Sequence, residues 1–397
     1  MENKKIKILF IVNNWLSDFG GGKKMMSRVF NNLDFNKYKI SFLSFEIGTK
    51  KQNFDKNLIA LNSQIKFIPI FGFSVFRFKI LKSFLVFFIL AKIIRKEKPQ
   101  IVFIPADHHL KAWSFFVIKI FSASTKIIFN DHNPHPPFLR YRSFIQKVVY
   151  LIIDKTLVKI AYSKVDKVIF VSQGLMEATK NLYNLKDKKI CVIYNPVFSN
   201  DILEKAQESI EHPWFRENIP IILSVGRIES IQKDFTTLLK AFAKVREKMK
   251  ARLVILGTGP QRGKLESLAK NLNIKNDTCF LGFQENPYKF MEESDVFVLS
   301  SKYEGFGVVL VEAMICGIPV ISSDCKFGPR EILQDEKNGI LVPPGDVNAL
   351  AESIILILNN KKLAQDFVQR GKIRVLDFTV EKSIAEYKKV LSEILKF

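Results

Sequence analysis

Four cysteines, Cys191, Cys279, Cys316 and Cys325, are scattered through 397 residues with no Cys-x-x-Cys pair among them. That spacing argues against a thiolate zinc site and offers no disulfide framework, so the composition fits a reducing cytoplasm. An Asp-x-Asp pair is missing throughout, and with it the usual carboxylate pair for a divalent cation bridging phosphates. The longest candidate for a membrane span, Phe84 to Ala91, is closed off by Lys82 and Lys92, far short of the roughly 20 apolar residues required. Zinc-finger spacing, a recognition helix and an RNA-binding aromatic signature are all lacking, which disfavours a nucleic-acid partner. Internal repeats and low-complexity tracts are absent as well.

Acidic residues are scarce in one half only. Residues 1–200 carry 33 Lys and Arg against 12 Asp and Glu, whereas residues 201–397 carry 28 against 27. Such asymmetry points to an anionic partner for the first half: a membrane surface, a nucleic acid or a phosphate-bearing substrate. A solvated, lysine-rich surface is the plainer alternative. Two segments, Phe71 to Lys98 and Phe138 to Lys167, mix apolar residues with Arg77, Lys79, Arg95, Arg140, Lys155 and others. Each suits a helix lying on an anionic bilayer, or equally a core-facing helix with a lysine-rich outer face. Their occurrence together favours the membrane. The expected location is cytoplasmic, peripheral on the inner face of the cell membrane.

Met1 to Val12 is basic and then apolar, as in a signal peptide, but the run is short and lacks a small-residue cleavage site, so it is predicted to be the first strand. Further short apolar runs follow at Ile40 to Phe45, Ile65 to Ile70, Ile101 to Ile104, Lys126 to Phe129, Lys167 to Val171 and Lys189 to Tyr194. Separated by longer mixed segments, they have the βα rhythm of a parallel sheet. The pattern breaks at Asn195-Pro196, and residues 199–218 are polar. A second series comprises Ile221 to Val225, Arg252 to Leu256, Thr278 to Leu281, Val296 to Leu299, Pro319 to Ser322 and Gly339 to Val342. Two Rossmann-like α/β domains are predicted, 1–198 and 199–379, with residues 380–397 forming a helix that packs back on the first.

The richest stretch is Ser301-Lys-Tyr-Glu-Gly-Phe-Gly-Val-Val-Leu-Val-Glu312. Glu304 and Glu312 are eight positions apart, just over two helical turns, so both can address one side of a helix start. The loop follows an apolar strand, at the sheet edge where open α/β folds place ligands. Gly305 and Gly307 permit close backbone approach, and free N–H groups at a helix N-terminus suit a diphosphate. Arg227, in Ser224-Val-Gly-Arg227, and Lys233, opening the next helix, supply two cations on that edge. Leu256-Gly-Thr-Gly-Pro260 and Gly282-Phe283 end the next two strands. Four ligand-permissive turns in order are more telling than any one of them.

This order of motifs resembles the retaining glycosyltransferases of family 4, which have the two-domain GT-B architecture. The resemblance is densest from Val225 to Pro344 and includes Gly317-x-Pro319-Val320 and Gly328-Pro-Arg-Glu-Ile332. It implies two domains facing across a cleft, with the nucleotide sugar held by the second. By resemblance, Gly21 and Gly22 close over the donor phosphates, Arg227 and Lys233 bind the diphosphate, and Glu304 contacts hydroxyls of the transferred sugar. Glu312 holds the ribose, the backbone of Val308 and Val309 beside Gly305, Phe306 and Gly307 meets the phosphate, and Gly282-Phe283 borders the base. His132, in Asn130-Asp-His-Asn-Pro134, stands where the family commonly has a histidine near sugar and acceptor. One departure is Lys23-Lys24, where many relatives have a small residue and then an acidic or amide one.

His108 and His109 follow a strand and are expected either to line the acceptor cleft or, more simply, to be a pair of exposed loop residues, and a metal site at His132 and His135 is rejected because Pro134 intervenes. Ser172 and Asn195 match family landmarks or simply cap turns. The expected activity is metal-independent, retaining transfer of a hexose-type sugar from a uridine-linked nucleotide diphosphate donor to a membrane-associated glycan or polyprenyl-linked acceptor. No cofactor is expected beyond the nucleotide-sugar co-substrate. An epimerase or phosphorylase of the same architecture is one alternative. A non-catalytic basic binding protein is the other.

Overall fold

The computed structural model describes residues 5–13, 21–45, 62–70, 79–133, 155–228 and 232–396. The chain divides into two compact units, Met1–Tyr194 with Ser383–Phe397, and Asn195–Lys382.

The first unit runs β1 (Ile6–Asn13), α1 (Gly21–Asn31), β2 (Tyr38–Phe45), β3 (Lys66–Ile70), α2 (Lys79–Glu97), β4 (Ile101–Ile104), α3 (His108–Phe121), β5 (Lys126–Asp131), α4 (Lys155–Lys164), β6 (Lys167–Phe170), α5 (Gln173–Tyr183) and β7 (Ile190–Val192). The strands form one parallel sheet in the order β3-β2-β1-β4-β5-β6-β7. β1 and β2 pair residue for residue from Ile6–Tyr38 to Asn13–Phe45. Strands covered on both faces need apolar side chains on both, which is why these runs are continuous rather than alternating. Phe10, Phe30, Phe42 and Phe103 form the aromatic centre, with Phe10 and Phe30 centroids 4.1 Å apart.

The second unit runs α6 (Asn200–Ala206), β8 (Ile221–Val225), α7 (Phe235–Lys248), β9 (Arg252–Leu256), α8 (Arg262–Asn271), β10 (Thr278–Gly282), α9 (Tyr288–Glu292), β11 (Val296–Leu299), α10 (Val308–Ile315), β12 (Val320–Ser323), α11 (Pro329–Leu333), β13 (Ile340–Val342), α12 (Val347–Asn359) and α13 (Lys361–Arg374). Its sheet is ordered β10-β9-β8-β11-β12-β13. Leu238, Phe242 and Val245 of α7 bury the face formed by Ile222, Leu253, Ile255 and Val296. All thirteen apolar runs read from the sequence are strands.

The last helix, α14 (Val380–Leu395), packs on the first unit, as the sequence predicts. Ser383 Oγ donates to the Tyr194 carbonyl at 2.8 Å, and the Tyr387 hydroxyl accepts from Asn130 Nδ2 at 2.7 Å. The Tyr387 ring lies 5.9 Å from Phe103.

Much of the first unit's lysine excess lies where strands begin and helices end. Lys7 Nζ donates to the Glu97 carbonyl, Lys119 to those of Ala123 and Thr125, and Lys189 to those of Ser163 and Val165. Those lysines satisfy orphan carbonyls and complement helix dipoles. The basic segments read as bilayer helices are described in part, since residues 71–78 and 138–154 fall outside the described set. Within α2, Leu90, Ala91 and Ile94 are buried, and within α4, Val158, Ala161 and Tyr162 are buried. Both helices thus bury an apolar stripe in the fold. Among the described residues, no helix is long and apolar enough to cross a membrane.

Candidate active site

In an open parallel sheet the ligand crevice opens where strand order reverses, at the carboxyl ends of the two central strands. In the second unit those strands are β8 and β11, paired through Ile222–Val296 and Leu223–Phe297. The turn after β8 carries Gly226 and Arg227, and the loop after β11 carries Ser300 to Gly307. Topology therefore brings together residues some 70 positions apart in sequence.

Lys233 and Glu304 meet there, with Nζ 2.6 Å from Oε1. Ser301 Oγ donates to the same carboxylate oxygen at 2.6 Å. Glu304 is only 6% exposed, so its charge is met by an ammonium and a hydroxyl with little water between. The Lys233 main chain is anchored by Ser300 Oγ, which donates to its carbonyl at 2.8 Å. Lys302 N donates to the Gln232 carbonyl at 2.7 Å, tying the two loops together. Gly226 lies under the Lys233 stem, since a Cβ there would stand 3.2 Å from Cγ. Ser323 Oγ donates to the Ser301 carbonyl from the next strand.

Two corrections concern local structure. Lys233 does not open the helix: Asp234, in the left-handed region, is the cap, and α7 starts at Phe235. Glu304 likewise precedes α10, which begins at Val308 behind Gly307 with φ of +101°. Glu304 and Glu312 therefore do not share one helical face. Glu312, buried within α10, accepts a hydrogen bond from the Tyr288 hydroxyl of α9 at 2.8 Å. The first-turn residues Val308 and Val309 place their backbone beside the Glu304 loop, with no acidic side chain in that turn.

Two glycines are sterically obligatory. A Cβ on Gly257 would stand 1.9 Å from the Gly226 carbonyl oxygen, and one on Gly328 1.8 Å from that of Phe306. The first brings the β8 and β9 turns into contact, where Gly226 N donates to the Leu256 carbonyl at 2.9 Å. Gly257 N in turn donates to the Gly282 carbonyl at 2.7 Å, so the turn after β10 joins the same edge. Beyond it Phe283 is 52% exposed, and Arg227 is exposed as well. Phe306 is buried and its ring meets Phe378 edge-on at 5.4 Å, so it fixes the loop. Cys325 is buried near Glu304, and burial, reinforced by the Glu304 charge, pushes its thiol up to about 12.

The first unit carries its own residues at the corresponding edge. Gly21 and Gly22 open α1 and are exposed, and a Cβ on Gly22 would meet nothing within 4 Å. Sterics in the described fold therefore give no reason for Gly22. The side chain of Lys23, and Pro134 and His135, lie outside the described residues. His132 follows β5 and is half-buried, and its enclosed Nε2 has no hydrogen-bond partner among the described residues. Burial chiefly, and then the Lys111 ammonium, pushes the imidazole down to about 4 against the pull of Asp131. His108 and His109 are not loop residues: they begin α3, capped by Asp107, and His108 Nδ1 lies 3.0 Å from the Tyr162 hydroxyl. Ser172 caps α5, its hydroxyl accepting from Leu175 N. Asn195 is buried, and its carbonyl accepts from Val197 N at 2.9 Å.

Sequence reasoning passed over Ser301, Tyr288, Lys111, Asp131 and Tyr162. Of these, Asp131 stands next to His132 and so left a trace, whereas Lys111 is one of two lysines in α3, with Lys119, and reads as a solvent-facing residue. Among the described residues no three His, Cys, Asp or Glu side chains converge as metal ligands would.

Comparison with known proteins accords with this geometry. The model described as Glycosyltransferase Family 4 matches residues 20–199, and that described as Glycosyl transferases group 1 matches residues 206–374. A Campylobacter jejuni N-acetylgalactosamine-N,N'-diacetylbacillosaminyl-diphospho-undecaprenol 4-alpha-N-acetylgalactosaminyltransferase is 30% identical over 260 residues, covering 66% of this chain and 68% of its own. An uncharacterized glycosyltransferase of Methanocaldococcus jannaschii is 29% identical over 98% of both chains. Among solved structures, a Rickettsia africae glycosyltransferase superposes with TM-score 0.73 at 21% identity, over 99% of this chain and 100% of its own. Anabaena HepE in complex with UDP and glucose reaches 0.79 at 18% identity, over 98% and 100%. Two parallel-sheet α/β units of seven and six strands match the GT-B fold of these solved glycosyltransferase structures. The chain belongs to glycosyltransferase family 4.

Proposed function

We propose that the protein transfers a hexose-type sugar, with retention of configuration, from a uridine diphosphate sugar to a polyprenyl-diphosphate-linked or glycan acceptor held at the inner membrane surface. The observation that carries this reading is the Lys233–Glu304 pair at the switch point of the second sheet. With no donor bound, the ammonium and carboxylate neutralise each other. Donor entry divides them: Lys233 turns with Arg227 to the diphosphate, and Glu304 accepts from hydroxyls of the sugar. Bond cleavage builds negative charge on the departing nucleoside diphosphate, and preplaced cations and the α10 N–H groups stabilise it more in the transition state than before it. Glu312 holds the ribose, Gly282-Phe283 borders the base, and Gly21-Gly22 approaches the phosphates. His132 meets the sugar or the acceptor. In this front-face route the leaving phosphate assists acceptor deprotonation, so no residue serves as nucleophile and no metal ion is required.

The names of relatives support the choice of substrates. Two Campylobacter jejuni relatives are described as α-N-acetylgalactosaminyltransferases acting on undecaprenol diphosphate-linked saccharides. HepE is described with UDP, with UDP-glucose, and with UDP and glucose. An α linkage is what a retaining enzyme forms from an α-linked donor. The membrane side rests on charge and exposure in the first unit. Phe88 and Ile120 stand 65% and 63% exposed on α2 and α3. Phe88 and Phe121, with Lys92, Arg95 and Lys96, line a surface cavity of about 610 Å³. Apolar side chains ringed by cations suit an anionic lipid surface. Labelled UDP-sugar incubated with purified protein and polyprenyl-linked acceptor tests the reading, and label that remains on UDP-sugar or is released only as free sugar in the acceptor's presence would refute it.

A further inference from the structure

The first unit buries a charged pair for which the transfer chemistry has no direct use. Lys111 of α3 and Asp131 at the end of β5 form an ion pair with side chains 1% and 0% exposed. Tyr162 of α4 donates to Asp131, its hydroxyl 2.8 Å from Oδ1 and 3.0 Å from Oδ2. His108 Nδ1 lies 3.0 Å from the same hydroxyl. One carboxylate thereby gathers an ammonium and a phenol from two helices. Taking such ions out of water costs several kcal/mol each, and apolar residues of equal volume commonly stabilise a core as well or better. Stability is a weak reason for the arrangement.

His132 supplies a stronger one. It is the next residue after Asp131, and among the described residues its enclosed Nε2 has no hydrogen-bond partner. An unmatched buried polar atom costs about 1–3 kcal/mol, a deficit that an incoming hydroxyl would remove. Were Asp131 unpaired, its carboxylate would draw a proton onto the neighbouring imidazole and convert both ring nitrogens to donors.

We propose that Lys111 and Tyr162, acting through Asp131, are positioning residues that hold His132 in its neutral state as the hydrogen-bonding partner of a substrate hydroxyl. The inference rests on the reading of His132 as a substrate contact. The charged and titratable groups concerned are Lys111 and His108 on α3, Asp131 on β5 and Tyr162 on α4, with Asp107 and Tyr183 acting on Tyr162. Burial is the chief reason the ring stays neutral; of the two charges Lys111 repels a proton on His132 and Asp131 attracts one, so loss of Lys111 tips the balance towards the cation.

The test follows the histidine Cε1–H resonances of the full chain against pH, with His132 assigned by its loss in His132→Asn. In the wild type the His132 signal stays constant above about pH 5. In Lys111→Met its midpoint moves up by roughly 1–3 units, and kcat/KM falls about tenfold between pH 8 and pH 5.5 where the wild type stays flat. Tyr162→Phe keeps the ring and removes only the hydroxyl, so it reads the same coupling if Lys111→Met fails to fold. It is expected to lower kcat with KM little changed and to shift the His132 midpoint upward. An unmoved His132 midpoint in the folded variants overturns the inference. Unaltered turnover in His132→Asn overturns instead the substrate-contact reading beneath it.

Discussion

Lys233 Nζ and Glu304 Oε1 stand 2.6 Å apart, 71 positions apart in sequence, because β8 and β11 are neighbours at the point where strand order reverses. Each loses its charge partner when the other is truncated. Lys233→Met leaves Glu304 buried with only the Ser301 hydroxyl among its described side-chain donors, so a stability loss of about 1–3 kcal/mol is expected beside the catalytic loss. Removal of one preplaced donor to a developing oxyanion commonly lowers turnover by about 10²–10³. Steady-state transfer rates and thermal unfolding of the same preparation separate the two effects.

Gly257 and Gly22 should respond oppositely to alanine. Gly257→Ala drives a methyl into the Gly226 carbonyl at a φ of +137°, and is expected to destabilise the fold by more than about 2 kcal/mol. Gly22→Ala meets open space and should leave the melting temperature within about 2 °C. Its effect should appear in KM for the donor, if phosphates approach that backbone. Paired melting curves and donor titrations check both.

Stability should fall in acid through His132. Its folded-state value near 4 lies below the ordinary 6.5, so the unfolded chain takes up a proton first as pH falls. The contribution is complete above about pH 6.5 and is lost towards pH 4, amounting to roughly 2–3 kcal/mol. His132→Asn should flatten that part of the pH–stability curve measured by denaturant unfolding. An unchanged slope would count against a buried neutral imidazole.

Tyr288→Phe tests the second glutamate. Its hydroxyl donates to Glu312 at 2.8 Å, and loss of a hydrogen bond to a buried carboxylate costs about 1.5–3 kcal/mol. If Glu312 holds the ribose, the affinity for UDP measured by calorimetry should drop about tenfold or more while the sugar-dependent increment is unchanged.

The strands were legible because both sheets are covered on both faces, so each strand is a short apolar block such as Val296 to Leu299 between polar or glycine turns. Arg227, Lys233 and Glu304 could be named because they follow such blocks. Their pairing could not, since it depends on which strands are neighbours. The helix start was misplaced at Glu304 because spacing alone does not show that Gly305 and Gly307 hold the loop open until Val308. Lys111 and Asp131 escaped notice for a related reason: burial of a charge is set by three-dimensional packing, and a lysine among Leu110, Ala112 and Trp113 reads as the solvent side of a helix.

The most direct test of the account is transfer of labelled sugar from UDP to a polyprenyl-linked acceptor by purified Glu304→Ala beside the wild type, with thermal unfolding recorded on both. A folded variant that still binds UDP and transfers at least a hundredfold more slowly is the expected result. A folded variant that turns over at the wild-type rate would contradict it.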